Sequence, residues 1–222
     1  MIKHILIVLS LLVITACGGG GGSDNTTTPT DTNKSFSLAT LQSMTLGTVY
    51  TTQLTGSNSD GVTYTGTAST ANRAQTMLNG VLVTPRDLII SLTGGGSSIT
   101  VTGTSNVDTS GNLISVVIQT TGLVCTPVSP DRMPASVKIG DFGILSTLTC
   151  SDNTTQERNW RVEDAGNGNI RVVTNGTVKN QSNVVTSVVD VTFTLDGSGN
   201  IVAFKTVATQ PASGFTLTYQ SA

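Results

Sequence analysis

The chain has only two glutamates, Glu157 and Glu163, and they flank its only tryptophan, Trp160. Paired carboxylates beside an aromatic ring are what a glycosidase needs, provided the carboxyl groups lie about 5–10 Å apart. Residues six positions apart on one strand are separated by about 20 Å, at about 3.3 Å per residue. Strand alternation also puts Trp160 on the opposite face, together with Arg158 and Val162. The sequence therefore favours a core tryptophan behind a solvated charged face over a catalytic pair.

Other catalytic groups are scarce. The only histidine is His4, ahead of the apolar N-terminal run, so the body of the chain has no imidazole for a Ser-His-Asp triad, a Cys-His pair or a His-rich metal site. The oxygen-rich turns at residues 108–112 and 196–200 offer one carboxylate each, whereas a calcium loop needs several, so both are interpreted as hairpin turns. We predict no catalytic residues, no metal site and no cofactor, and the ligand-binding residues stay unassigned.

The N-terminus has the features of an export signal. Lys3 precedes an apolar run from Ile5 to Val13, and Ile14-Thr15-Ala16-Cys17 follows it. A run of this length is too short for a stable membrane span. The segment resembles the signals of bacterial lipoprotein precursors, whose cleavage site ends in a cysteine. This resemblance implies a signal peptide over residues 1–16, lipidation of Cys17 and attachment to the lipid bilayer through two or three acyl chains, such as palmitate. The alternatives are an ordinary signal with an incidental cysteine, or a short anchor.

Residues 17–35 are predicted to form a flexible tether. Five glycines follow Cys17, and the segment after them is polar, so it cannot bury enough surface to offset its ordering entropy. Such a linker would hold the folded part roughly 20–25 Å from the lipid. In lipoproteins of the type that the signal resembles, an aspartate after the cysteine tends to retain the protein at the inner membrane. Gly18 therefore implies the outer membrane, with the periplasmic or surface face left open.

Alternation of apolar and polar residues predicts strands through most of the body. The clearest run spans residues 189–195, and the same period appears at 62–68, 99–101, 114–118 and 215–219. Turn residues separate these runs at 59–61, 94–96, 110–112, 166–169 and 197–200. The best helical candidate is the stretch 69–78, which could instead be a loop and a strand.

Three landmarks recur along the chain. Asp108 to Val116 matches Asp196 to Phe204, Ser59 to Val62 matches Ser151 to Thr154, and Leu46-Gly47 matches Ile139-Gly140, at offsets of 88, 92 and 93 residues. Independent hairpin motifs could produce the matches, but the near-constant offset favours duplication. We predict an all-β fold of two related antiparallel units of barrel or sandwich type in tandem, either separate or merged. The first unit covers residues 36–125, a connection covers 126–136, and the second unit covers 137–222.

The connection and the two remaining cysteines lie close together in sequence. Pro127, Pro130 and Pro134 exclude a central strand over 126–136. Asp131 and Arg132 at its centre are interpreted as solvated loop residues, with a contact loop as the alternative.

In an exported protein the leftover pair Cys125 and Cys150 is expected to form a disulfide, rather than a redox or metal site.

The anchor, the tether, the β-rich body and the missing catalytic groups favour binding over catalysis. Charged residues make up 11% of the chain and the formal net charge is −2, so a nucleic-acid partner is not expected. The sequence predicts a non-enzymatic binding or structural module anchored at the outer membrane. Its partner would be an envelope protein, a glycan or an apolar ligand. The alternative is a lipid-anchored envelope hydrolase that uses carboxylates, or a serine with lysine.

Overall fold

The computed structural model describes residues 31–222, so Cys17, the signal segment and most of the predicted tether lie outside the described residues. The strands are β1 (Phe36–Ser37), β2 (Gly47–Asn58), β3 (Thr63–Asn72), β4 (Thr76–Leu78), β5 (Val81–Gly94), β6 (Ser97–Asp108), β7 (Leu113–Ile118), β8 (Leu123–Pro127), β9 (Ser136–Val137), β10 (Phe142–Cys150), β11 (Thr155–Gly166), β12 (Asn169–Lys179), β13 (Val185–Leu195), β14 (Ile201–Gln210) and β15 (Phe215–Ser221). Over these residues, no helix that could cross a membrane is found.

Twelve strands within residues 31–222 form one closed antiparallel barrel. Their order is β3-β2-β15-β14-β13-β12-β11-β10-β8-β7-β6-β5, and pairing of β3 with β5 closes the ring from Thr65 opposite Thr93 to Asn72 opposite Arg86. Closure removes the open sheet edges that would otherwise pair with other chains. The short strand β4 extends the other end of β5, and β1 pairs only with β9.

The barrel wall is apolar inside and mainly polar outside. On β13 the side chains of Val189, Val191, Phe193 and Leu195 are buried, and the residues between them are partly exposed, which confirms the predicted alternation. On β2 the outward residues are Thr51, Gln53, Thr55 and Ser57. The outer face of β10 is an exception, with Phe142 81% and Ile144 89% exposed.

Two segments that lie outside the barrel wall, each with one short strand, fill part of the barrel interior. Phe36, Leu38 and Leu41 from the first segment and Val137 from the second are buried against inward-facing residues of β10 to β14. The Leu38 N–H donates to the Ala135 carbonyl, so the two segments also bind each other. The barrel is therefore a packed core rather than an open channel over the described residues.

The predicted turns are confirmed, and the helical candidate is wrong. Residues 59–61, 94–96, 110–112, 166–169 and 197–200 all lie at hairpin ends. Residues 69–78 instead contain the end of β3 and the whole of β4. Their apolar residues are too few to form a helical stripe, and pairing with β2 and β5 satisfies the backbone of β3.

Two separate units in tandem are not confirmed, because the two sequence halves share one barrel. Each half supplies six consecutive wall strands, β2, β3 and β5 to β8 from the first and β10 to β15 from the second. Corresponding strands keep the offsets of the sequence: β6 and β13 begin at Ser97 and Val185, 88 residues apart, and β3 and β11 begin at Thr63 and Thr155, 92 residues apart. The predicted connection 126–136 joins β8 to β9 within this one barrel: Asp131 is buried, whereas Val128 is 68% exposed and Ser129 and Pro130 are also exposed.

Candidate functional site: a charged cavity inside the barrel

A cavity of about 100 Å³ lies where the two halves of the barrel face each other. The first half supplies Arg86 from β5, and the second half supplies Arg158 from β11. Its apolar lining consists mainly of Leu38, Leu41, Leu113, Leu145, Val172 and Phe193. The space is several times what a single water molecule needs, and it combines apolar walls with a few polar groups, as ligand sites do.

Arg86 is a buried cation on the cavity wall. Its side chain is 2% exposed, its Nε donates to Asn72 Oδ1 at 2.7 Å, and its Nη2 donates to the Ser43 carbonyl. Burial lowers the pKa of Arg86 to about 10, so the guanidinium stays protonated at neutral pH. Within residues 31–222, no carboxylate lies at ion-pair distance from Arg86. Its hydrogen bonds are met by neutral oxygens, and its charge is left without a counter-ion.

Arg158 is the second buried cation, and it does have a carboxylate partner. Its Nη2 donates to Asp131 Oδ2 and, at 2.8 Å, to the Ser146 carbonyl. The Ser146 N–H donates to Asp131 Oδ1 at 2.9 Å, which fixes the carboxylate in place. The Nε of Arg158 is buried and has no acceptor among the described residues. One buried donor of a residue that lines the cavity is therefore unused.

The prediction that Asp131 is a solvated loop residue is wrong. Its side chain is 4% exposed, because it turns inward from the connection and binds Arg158 and the Ser146 N–H. Arg132, the next residue, is exposed as predicted, and its Nη1 donates to the Ser110 carbonyl at 2.8 Å. Arg132 also lines the cavity, which places one end of the cavity at the surface beside the turn at 109–112. Three arginines and one aspartate give the lining a formal charge of +2.

The two glutamates lie outside the barrel and do not converge. Glu157 Oε1 pairs with Lys179 Nζ at 2.5 Å, and Glu163 Oε1 pairs with Arg161 Nε at 2.7 Å. Trp160 is buried on the inner face, where its ring packs over Gly143: a Cβ there would lie 2.7 Å from Trp160 Nε1. The predicted separation of the tryptophan from the glutamates is confirmed.

The turns that begin at Asp108 and Asp196 are closed by their own backbone. In each, one carboxylate oxygen accepts from two backbone N–H groups, and the other accepts from the amide of Asn112 or Asn200 at 2.9 or 3.1 Å. Slight burial raises the pKa of both aspartates, but these hydrogen bonds outweigh it and lower the pKa overall. No group of three or more His, Cys, Asp or Glu able to hold a metal ion occurs among the described residues.

The structure contains a disulfide between Cys125 and Cys150. These residues are opposite each other on β8 and β10, at the junction between the two halves of the barrel. Cys17, the predicted lipidation site, lies outside the described residues.

Sequence reasoning missed Arg86 and the burial of Asp131. A signal existed for Arg86, because it is in phase with Leu88, Ile90 and Leu92 on the apolar face of β5. An arginine in phase with core residues indicates a buried charge. No comparable signal marked Asp131, because its burial depends on where the connection passes.

Comparisons with known proteins give a fold likeness only. No protein-family model matches the chain, and no curated protein matches it. Among solved structures, the chain is similar to a porin-like protein from Bacteroides uniformis, with 13% sequence identity and a TM-score of 0.24. That match covers 80% of this chain and 98% of the other.

Proposed function

We propose that this protein is a non-enzymatic binding protein of the bacterial cell envelope, held at the outer membrane by acyl chains on Cys17. The observation on which the proposal mainly rests is the polarity of the barrel. Its outer face is dominated by threonine, serine and charged residues, while its inner face is mainly apolar and contains a few buried polar residues such as Arg86 and Arg158. Strands that contact lipid show the reverse pattern, with apolar residues outside. A barrel of this polarity favours contact with water, so attachment to a membrane would depend on a separate anchor.

The binding role is supported by the cavity and by the positions of the acidic residues. Glu157 and Glu163 are engaged in separate ion pairs on the outer surface, which weakens the hydrolase alternative. The cavity holds the buried charges Arg86, Asp131 and Arg158 beside apolar walls, and such a site is suited to recognition. The tether would let the barrel reach ligands or envelope partners a few nanometres from the lipid.

The test of the anchor is fractionation with metabolic labelling. Wild-type chain should appear in the outer-membrane fraction and incorporate a palmitate analogue, and Cys17→Ser should lose both properties. Ser10→Ala provides the matched control, because it changes a residue of the apolar run and keeps Cys17 and residues 14–16. If the Cys17→Ser chain still fractionates with envelope lipid, the anchor is wrong.

The test of the binding role is crosslinking in cells followed by co-purification. We expect a discrete partner or small molecule that is enriched with the wild-type chain. Turnover of a glycan or ester substrate by the purified protein, lost on substitution of a carboxylate or serine, would instead support the hydrolase alternative.

A further inference from the structure

We propose that the cavity binds a small organic anion, namely a short-chain carboxylate, whose head faces the guanidinium groups of Arg86 and Arg158. This inference rests on the proposed binding role and names the class of ligand. The alkyl part would lie against the leucine, valine and phenylalanine side chains of the lining.

The charges that line the cavity favour an anion. Arg86 is 2% exposed and has no carboxylate partner among residues 31–222, and Arg158 has a buried Nε without an acceptor. An uncompensated buried charge is costly, and a carboxylate that enters the cavity relieves this cost. A guanidinium presents a planar set of donors that matches a carboxylate, which makes arginine the preferred partner for such a head group.

The size and the lining of the cavity select the rest of the ligand. A volume of about 100 Å³ exceeds what a single inorganic ion fills, and most of its walls are aliphatic. Burial of each CH₂ group of the ligand contributes to affinity, so a ligand with a short alkyl chain binds better than a bare ion. Arg132 at the surface end of the cavity adds a positive charge along the path of an incoming anion.

The experiment is calorimetric titration of the full chain carrying Cys17→Ser with hexanoate, hexanol and sulfate in parallel. The Cys17→Ser change lies outside the cavity, so the result does not depend on whether the anchor exists. We expect hexanoate to bind and to raise the melting temperature, while the neutral alcohol and the inorganic anion bind at least about tenfold more weakly, because each lacks one of the two interactions.

Two variants locate the site. Arg86→Met should weaken hexanoate binding about 10- to 100-fold, the range expected for one lost charged hydrogen bond. Arg161→Gln is the matched control: it removes an arginine from the outer face of β11, where the side chain is 49% exposed, and should leave binding unchanged. If Arg86→Met fails to fold, Leu41→Phe narrows the cavity without touching a charge, and it should also abolish binding.

The inference is overturned if the wild-type cavity does not bind hexanoate. Equal binding of hexanol would show that the guanidinium groups do not contribute to binding. Equal binding of sulfate would show that the apolar walls do not contribute. Loss of hexanoate binding in Arg161→Gln to the same degree as in Arg86→Met would place the anion outside the cavity. A failed membrane-fractionation test would overturn the anchor and leave these outcomes unaffected.

Discussion

The two halves of the barrel meet at two seams, which differ in how they are held together. At the first seam, β8 and β10 share three register pairs, and Pro127 at the end of β8 has no N–H to donate. At the second seam, β15 and β2 share five register pairs, and the Ala222 N–H extends the ladder to the Gln53 carbonyl at 3.0 Å. The first seam is shorter, and it contains the disulfide.

The two seams can be compared at positions that are equivalent in the two halves of the barrel. Cys125 and Cys150 face each other at the first seam, and Leu217 and Asn58, each 92 residues away, face each other at the second. The first seam is short because the chain leaves β8 after Pro127 and takes Asp131 into the interior, where it binds Arg158. Backbone bonds from the Val128 N–H to the Thr147 carbonyl at 3.0 Å and from the Ser151 N–H to the Val124 carbonyl at 2.8 Å extend this seam. A covalent bond and a buried ion pair reinforce it. The comparison predicts that stability is concentrated in side-chain bonds at one seam and in backbone bonds at the other.

The largest effect is expected from breaking the buried ion pair. Asp131→Asn leaves the Arg158 guanidinium buried and uncompensated, and it should lower the free energy of unfolding by about 3–5 kcal/mol in urea titrations. Glu163→Gln is the control, because it breaks an exposed ion pair on β11, the strand that carries Arg158. It should lower the free energy of unfolding by less than about 1 kcal/mol. Similar small losses in both variants would contradict the role of Asp131 at the first seam.

The next largest effect is expected from removing the disulfide. Substitution of Cys125 and Cys150 together by serine opens a loop of 25 residues, and the chain-entropy model gives a loss of about 3.5 kcal/mol. Urea unfolding of the wild type with and without dithiothreitol provides the same comparison without mutation. Dithiothreitol should leave the doubly substituted variant unchanged, and an equal shift in that variant would show that the disulfide is not responsible.

Shortening the second seam should lower the free energy of unfolding by less than removing the disulfide does. Deletion of residues 221–222 removes the register pair of Ser221 with Leu54 and the backbone bond of Ala222, each worth about 0.5–1.5 kcal/mol net. We expect a loss of about 1–3 kcal/mol in thermal or urea unfolding, additive with loss of the distant disulfide. If this deletion destabilises the protein more than removal of the disulfide does, the expected ranking of the two seams is wrong.

The smallest effect is expected at the two aspartate turns, one beside each of the interior segments. Asp108→Ala and Asp196→Ala each remove hydrogen bonds of an exposed turn and should cost up to about 1.5 kcal/mol. Since folding lowers both pKa values, the stabilisation is present above the unfolded pKa, near 3.8, and is lost as pH falls through the lower folded pKa. Acid titrations of unfolding should show this loss in the wild type and less of it in each variant.

Much of the wall could be predicted from local pattern. The alternation over residues 189–195 and the opposite faces of Trp160 and Glu163 are consequences of a two-residue period. The five turns follow from their Gly, Asn, Asp and Ser residues, and both signals are visible in any short window. The disulfide could also be predicted, because two cysteines remain once Cys17 is assigned to lipidation. Closure of the barrel could not be predicted, because the pairing of β3 with β5 and of β15 with β2 joins strands whose partners no local pattern specifies.

The candidate site was harder to predict for the same reason. The position of Arg86 on an apolar face was present in the sequence, but its lack of a carboxylate partner depends on which strands surround it. Asp131 looked like a solvated loop residue because proline-rich connections usually lie on the surface. In this protein the neighbouring residues of the connection are exposed, but the Asp131 carboxylate is buried, because it binds Arg158 on a strand 27 residues away.

By itself, the sequence determined that residues 36–222 form strands and turns, which side chains point inward on the clearest of them, and that two cysteines are available to pair. Only the tertiary structure decided that both halves close into one barrel, that a buried aspartate neutralises one arginine, and that another arginine is left facing a cavity. Side-chain periodicity is a property of neighbouring residues, whereas closure and charge pairing depend on contacts between residues far apart in the chain.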